Sequence, residues 1–351
     1  MNKVAVYGIG KFGELFFKAL DEKIDFFIDD FSEKDNYLDK EIKKIKNIEK
    51  DTKIYISPLQ YSHSIEKKLR IMGFSNIVNF TESIKSIPNI LEYVAKDNYL
   101  WLVEDSSRML DKDKLAQFNS LLIDKKSQEN LSMIINLRET LDPKYYIEPS
   151  DTEYFPTDVP ILKNLNEINF LDCGAYIGDT INELMKQGLT VKSTISFEPD
   201  IKNQVKLNIE LETQKNSYPK TDFLIYPMGV YSHNTILQFS NNGVDSSASF
   251  DNSSDIFVPV VSIDDTLLNK DINFIKMDIE GAEKEALLGA TKTIKKYKPN
   301  LAICLYHKPE DLWELPLLIN DIEPSYEMYL RVHEDMCLST VLYCISKERD
   351  V

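Results

Sequence analysis

Cysteine is scarce in this chain: four among 351 residues, Cys173, Cys304, Cys337 and Cys344. No two of them form a Cys-x-x-Cys pair, so neither a zinc site nor a disulfide framework is expected, only buried reduced thiols of a cytoplasmic protein. Long apolar runs are missing as well, and no segment reads as a membrane span. The start, Met1-Asn2-Lys3-Val4, drops straight into a strand pattern without a charged-then-apolar leader. Basic residues are outnumbered, 41 Lys and Arg against 57 Asp and Glu, for a net charge of -16. Phosphate backbones would be repelled over most of such a surface, so nucleic acid is not expected as a partner. Fixed-period repeats and low-complexity tracts are also lacking. What remains is a globular composition, 43% hydrophobic and 11% aromatic, in a length that suits two domains.

The most informative stretch is Phe170-Leu171-Asp172-Cys173-Gly174-Ala175-Tyr176-Ile177-Gly178-Asp179-Thr180. An apolar run leads into an acid, then two glycines four apart, then a helical segment. That is a parallel strand turning sharply into a helix, with glycines where a ligand meets the backbone. The acid selects the ligand. A carboxylate before the turn repels a pyrophosphate and attracts an ammonium. S-adenosylmethionine has an amino group, a sulfonium and no phosphate. The next strand, Ser193 to Phe197, ends in Glu198-Pro199 about 20 residues later, where a carboxylate can accept both ribose hydroxyls. This half of the chain reads as a methyl-donor site.

Residues 1–90 read as a small Rossmann-like domain: a strand, Gly8-x-Gly10-x-x-Gly13, a helix, and a second strand ending in Asp29-Asp30. Lys11 in the turn tolerates phosphate and Asp29 stands where a ribose-binding acid would. Glycines that merely let helix and strand pack closely are the competing reading. The run Lys40 to Lys53 reads as a solvated face. Residues 91–150 carry apolar residues at helical spacing and form a helical connector. The tract Pro143 to Pro160 lacks periodicity; Tyr154-Phe155-Pro156 within it either anchors the linker or covers a ligand.

Within residues 151–351 a second block stands out, Asn273-Phe274-Ile275-Lys276-Met277-Asp278-Ile279-Glu280-Gly281-Ala282-Glu283. A buried strand ends in three carboxylates, and Lys276 inside it needs an acid partner, which predicts an ionic cluster. Leu301 to Tyr306 is the next strand, ending at His307. Of the four histidines, His63 and His233 have no functional reading, whereas His307 ends a strand at the same sheet edge as Asp278. The segments 222–231 and 258–262 read as further strands, and 236–250 as a loop or irregular hairpin containing Asp245-Ser246-Ser247. The segments 326–333 and 340–345 read as an antiparallel hairpin closing the sheet.

Together these blocks resemble the FkbM-type methyltransferases over roughly residues 150–345. The likeness rests on Leu171 to Thr180, Phe197-Glu198-Pro199, Ser262-Ile263-Asp264-Asp265, Ile275 to Glu283, the His307 to Asp311 run and Leu330-Arg331-Val332-His333. It departs at Tyr176, where many members have Asn, and at Val332, where some have a second His. The resemblance implies an α/β fold: a C-terminal Rossmann-like methyltransferase sheet, mostly parallel with a closing antiparallel hairpin, after the smaller domain and the connector. It implies S-adenosylmethionine as cofactor, contacted by Asp172, Gly174, Tyr176, Gly178, Thr180, Glu198, Pro199 and Asp278. O-methylation of a sugar, nucleotide-linked or a surface-polysaccharide precursor, is the implied activity.

Methyl transfer to oxygen needs alignment and a base, for which His307, Asp278 and Glu280 are the candidates. A divalent metal, Mg or Mn, on Asp278 and His307 is a sharper alternative. Lys276, Asp311 and His333 are candidates for substrate contacts. Two other functions stay open: a nucleotide-sensing binding protein on a methyltransferase fold, and methylation of a non-sugar small molecule. No membrane partner is expected, and a homodimer is among the open oligomeric states.

Overall fold

The computed structural model describes residues 3–59, 62–87, 89–96, 100–103, 109–163, 165–241, 248–250 and 256–347. By contact the chain divides into two units. The first is Met1–Met109 with Ser132–Pro149 and Glu334–Leu338; the second is Leu110–Leu131, Ser150–His333 and Ser339–Val351. The stretch 91–150 is therefore shared between them. Among the described residues no helix is long and apolar enough to cross a membrane.

The first unit is built on β1 (Val4–Tyr7), α1 (Lys11–Ala19), β2 (Phe26–Ile28), β3 (Asn36–Tyr37), β4 (Lys40–Lys43), β5 (Lys53–Ile56), α2 (Ser62–Ile71) and β6 (Ile77–Val78). Its sheet runs in the order β3-β4-β2-β1-β5-β6, parallel except for β3. Phe26, Phe27 and Ile28 are all buried, as expected of a strand covered on both faces. Lys40 to Lys43, within the run read as a solvated face, has no buried residue, and it is a strand. This strand β4 pairs in parallel with β2 through Glu41, Ile42 and Lys43. Gly13 is needed for packing, since a Cβ there would lie 2.3 Å from the Gly8 carbonyl oxygen. Asp29 closes its own turn, accepting the N–H groups of Phe31 and Ser32 at 2.8 and 2.7 Å. Helices α3 (Phe80–Ser86) and α4 (Asn89–Lys96) follow, α3 opened by an Asn79–Glu82 capping box.

Helix α5 (Lys112–Leu121) belongs to the second unit, and α6 (Lys125–Thr140) begins in it and ends in the first. The second unit then runs β7 (Glu167–Cys173), α7 (Asp179–Lys186), β8 (Thr190–Phe197), α8 (Ile201–Ser217), β9 (Asp222–Tyr226), β10 (Gly229–Val230), β11 (Thr235–Asn241), β12 (Ala248–Phe250), β13 (Phe257–Val261) and α9 (Ile263–Thr266). It closes with β14 (Phe274–Met277), α10 (Glu283–Leu288), α11 (Thr291–Tyr297), β15 (Asn300–Cys304), α12 (Asp311–Ile322), β16 (Glu327–Val332) and β17 (Thr340–Ile345). The main sheet has the order β16-β17-β15-β14-β7-β8-β9, and β17 alone runs against its neighbours.

The expected strand 222–231 is split at Pro227, which cannot donate to a ladder, and its second part joins β11, β12 and β13 in a separate four-stranded sheet. Asp245-Ser246-Ser247 lies outside the described residues. Asp264 is a structural acid: it accepts from the N–H groups of Lys292 and Thr293 at the start of α11. All four cysteines are buried, and none is in a disulfide. Phe170 and Phe274 meet across β7 and β14 with centroids 5.0 Å apart, and Phe155 packs edge-on against Phe274. Each such buried ring contributes about 1.5–3 kcal/mol, and together they fix the two central strands that carry the site.

Candidate active site

From β7 the chain passes to β8 and β9 on one side, then returns to β14 on the other. The space beyond the carboxyl ends of β7 and β14 is thus the switch point of the sheet, where ligands of such folds sit. Gly174 makes the junction possible. Its φ is +79°, and a Cβ there would lie 1.9 Å from the Asp278 carbonyl oxygen. The turn continues through Tyr176, at φ 47°, to Gly178, the N-cap of α7, with Thr180 buried in the first turn. Glu198 holds this turn from the side. Its carboxylate accepts the Tyr176 N–H and the Asp200 N–H, each at 2.8 Å. Burial pushes the Glu198 carboxyl up to about 7 despite those two donors. Pro199 follows it, and Asp200 then caps α8.

Asp172 does not stand open toward the turn. The register of β7 and β14 places Lys276 opposite it, and both side chains are buried, with Lys276 Nζ 3.2 Å from Asp172 Oδ1. Lys276 Nζ also donates to the Gly174 carbonyl at 2.6 Å. The charge of Asp172 is therefore answered by a protein cation, and it reaches the turn through Gly174. Burial pushes the Asp172 carboxyl up to about 6, with Lys276 working the other way. For Lys276, burial opposes the ammonium, but Asp172, Asp278 and Asp179 outweigh it and raise its pKa. The ionic cluster expected from a lysine in a buried strand is present, and it occupies Lys276 fully.

Asp278 is the hub of the crevice. Oδ2 accepts from Tyr154 Oη at 2.8 Å, Oδ1 accepts from Tyr306 Oη at 3.0 Å, and His307 Nε2 lies 3.2 Å from Oδ1. Glu280 Oε2 is 3.7 Å from the same ring nitrogen, and Glu283 Oε1 is 2.9 Å from Nδ1. The side chains of His307 and Glu283 are 2% and 0% exposed, whereas Asp278 and Glu280 keep 24% and 27% open. Only the latter two can meet a ligand from the crevice. Burial alone would raise the Asp278 carboxyl, but the His307 contact, Lys276 and Tyr154 hold it below the usual range. Burial pushes Glu280 up to about 8, with Asp278 and Glu283 adding to it. Burial disfavours the His307 imidazolium, yet Glu283, Asp278 and Glu280 prevail and raise its pKa.

The remaining candidates sit further back. Asp311 is buried at the start of α12 and accepts the Lys308 N–H at 3.0 Å. His333 has both ring nitrogens engaged, with Tyr343 Oη at 2.8 Å and the Asp151 carbonyl at 2.7 Å. Tyr343 Oη in turn accepts the Tyr154 N–H, so His333 supports the loop that delivers Tyr154. Two residues of the cluster are not singled out by the sequence as site residues, Tyr306 and Glu283, whereas Tyr154 reads there as an anchor or a cover over a ligand. Glu283 had a visible signal, a third acid on the first turn of a helix. For Tyr154 the partner had none, since Asp278 lies 124 residues away.

Residues 172–334 match the family model of the methyltransferase FkbM domain. The matched stretch lies in the second unit except for Glu334, and it covers less than half of the chain. The solved structure of methyltransferase FkbM from Methylobacillus flagellatus superposes with a TM-score of 0.64 at 22% identity, over 97% of this chain and 89% of that one, a likeness of fold. An rRNA methylase from Streptococcus thermophilus gives a TM-score of 0.33 at 15% identity, over 52% of this chain and 87% of its own. Fibrillarin from Aeropyrum pernix, in complex with S-adenosyl-L-methionine, gives 0.32 at 8% identity, over 54% and 70%. No curated protein sequence matches the chain significantly. Asp172, Lys276, Asp278, Glu280, Glu283 and His307 all lie inside the matched stretch, whereas Tyr154 precedes it.

Proposed function

We propose that this chain is an S-adenosylmethionine-dependent O-methyltransferase whose acceptor is a sugar hydroxyl, on a nucleotide-linked sugar or a surface-polysaccharide precursor. The observation that carries the reading is the crevice at the switch point. There Gly174 packs against the Asp278 carbonyl and so brings the β7 turn beside Asp278 and Glu280, the two partly open acids of a buried ionic cluster. Glu198 lies at the neighbouring strand end, where a carboxylate can take ribose hydroxyls. The residues fit the donor: a backbone cradle, an acid for the ribose, and ionised Asp278 for a cationic sulfur. Bound there, S-adenosylmethionine supplies an already activated methyl group.

The protein's tasks are then alignment and removal of a proton. Asp278 is saturated by two phenols and the imidazole, so it orients and stabilises charge. Glu280, open to the crevice and next to His307, accepts the proton of the acceptor hydroxyl as the methyl–oxygen bond forms. His307 keeps Glu280 and Asp278 in place. A divalent metal on Asp278 and His307 would lower the pKa of that hydroxyl. Sugars suit a crevice rimmed by carboxylates, which accept hydroxyl hydrogen bonds.

The test is incubation of the full chain with S-adenosylmethionine and a panel of nucleotide sugars, read by mass spectrometry. A product heavier by one methylene, lost in Glu280→Gln, is expected. Donor binding without methylation of any sugar, alongside methylation of another small molecule, would overturn the sugar assignment.

A further inference from the structure

The loop that leaves β14 holds consecutive residues in the left-handed region, Glu280 at φ 55° and Gly281 at φ 93°. The Ala282 N–H closes this turn on the Ile279 carbonyl at 3.3 Å. A turn whose central residues both have positive φ suits Asn or Gly. For a glutamate it is unfavourable, because Cβ crowds the following carbonyl oxygen. Gly281 escapes that cost and Glu280 bears it. Such strain persists only where the surroundings over-determine the conformation, and residues that carry it cluster at active sites.

The left-handed position decides where Glu280 points. A return to the ordinary helical region would turn its φ by about 120° and swing the Cα–Cβ bond with it. In the observed turn Oε2 lies 3.7 Å from His307 Nε2, and the side chain stays 27% open. The turn is held by more than its own closing bond. Glu283 Oε1 accepts the Ile279 N–H at 2.8 Å. From outside the loop, Lys308 Nζ donates to the Gly281 carbonyl. Lys308 follows His307 just beyond β15, so its side chain ties the ends of β14 and β15 together. Its stem runs over Gly281 so closely that a Cβ there would lie 2.9 Å from Lys308 Cε. The lysine is itself fixed at its backbone, where its N–H donates to Asp311 Oδ2 at 3.0 Å.

We propose that Lys308 is a positioning residue: by holding the Gly281 carbonyl it keeps Glu280 in the left-handed conformation that presents its carboxylate to the crevice. The consequence for turnover rests on the reading of Glu280 as the base in methyl transfer; the clamp itself does not. Lys308→Met keeps an apolar stem over Gly281 and removes the donor, which isolates the bond. Lys308→Arg returns a charged donor of similar reach.

The test compares the parent, Lys308→Met and Lys308→Arg as full chains. Hydrogen–deuterium exchange without ligand reads the clamp. Over 279–283, Lys308→Met should exchange at least about fivefold faster, the effect of losing about one net hydrogen bond, and Lys308→Arg should stay near the parent. Methyl transfer from S-adenosylmethionine to the nucleotide sugar that the panel shows to be methylated reads the consequence. There kcat should fall at least about fivefold in Lys308→Met, with KM for the donor unchanged, and recover in Lys308→Arg. A lysine of merely structural use would lower the melting temperature and leave kcat alone. Lys308→Ala replaces Lys308→Met in both measurements if the latter loses the parent circular dichroism. Unchanged exchange over 279–283 overturns the proposal, and so does faster exchange with the parent kcat. Faster exchange in a chain whose parent methylates no acceptor refutes the methyltransferase reading and leaves the clamp standing.

Discussion

Replacing Lys276 by Met should unfold the second unit more easily than any change at its surface. Lys276 and Asp172 face each other in the centre of the sheet, 3.2 Å apart, with side chains 4% and 0% exposed. Met has nearly the volume of the lysine stem, so little cavity is made. What is lost is the cation, leaving a carboxylate in the interior with no counter-charge. Breaking a buried pair from one side costs about 3–5 kcal/mol, whereas removing both partners is often neutral or stabilising. Lys276→Met should therefore lose about 3–5 kcal/mol in urea unfolding at neutral pH, and Asp172→Asn with Lys276→Met should recover most of it.

The pH dependence has a definite sign. Burial raises the folded Asp172 carboxyl to about 6, above its unfolded value. Its contribution to stability is thus greatest below about pH 4 and is lost as pH rises through 6. Without Lys276 the folded value climbs further, so Lys276→Met should be less destabilised at pH 5 than at pH 8. A single variant within about 1 kcal/mol of the parent, or a double variant no better than the single, would show that Lys276 does not neutralise Asp172, since the range for a broken buried pair starts well above it.

Other outcomes follow from the same geometry. Gly174→Ala places a Cβ on the Asp278 carbonyl at a positive φ; about 1–2 kcal/mol of backbone strain plus about 1–3 of overpacking should appear in denaturant melts, with loss of S-adenosylmethionine affinity. Tyr154→Phe removes one charge-assisted bond to Asp278, which should cost about 1.5–3 kcal/mol in urea unfolding and slow methyl transfer while leaving donor binding nearly intact. Arg331→Met severs contacts to Asp124, Asp158 and Ser127 Oγ; because those acids are partly exposed the loss should fall near 2 kcal/mol, with faster hydrogen exchange across 110–131.

Much of the second unit was readable because each strand ends in its chemistry. Asp172, Glu198, Asp278 and His307 all follow apolar runs, and a parallel sheet gathers such ends at one edge. Lys276 announced its acid partner through the cost of burying an ammonium alone. What could not be read was the direction of each carboxylate. Asp172 looked free to meet a ligand because the register that sets Lys276 opposite it is a property of pairing between strands distant in sequence. Tyr154 was hidden for a similar reason: its loop has no periodicity, and the Tyr343 and Asp278 bonds that fix it come from β17 and the end of β14. In the first unit the glycine turn was legible, while the pairing of β4 was not, because a strand with no buried residue carries no apolar pattern.

On the proposed function, S-adenosylmethionine lies on the Gly174 turn of the second unit. Hydrogen–deuterium exchange of the full chain with and without S-adenosylmethionine tests it directly. Slowed exchange over 172–180 and 197–200 is predicted, with little change over residues 4–13. Protection of the 4–13 turn instead, or none in either place at saturating donor, would contradict it.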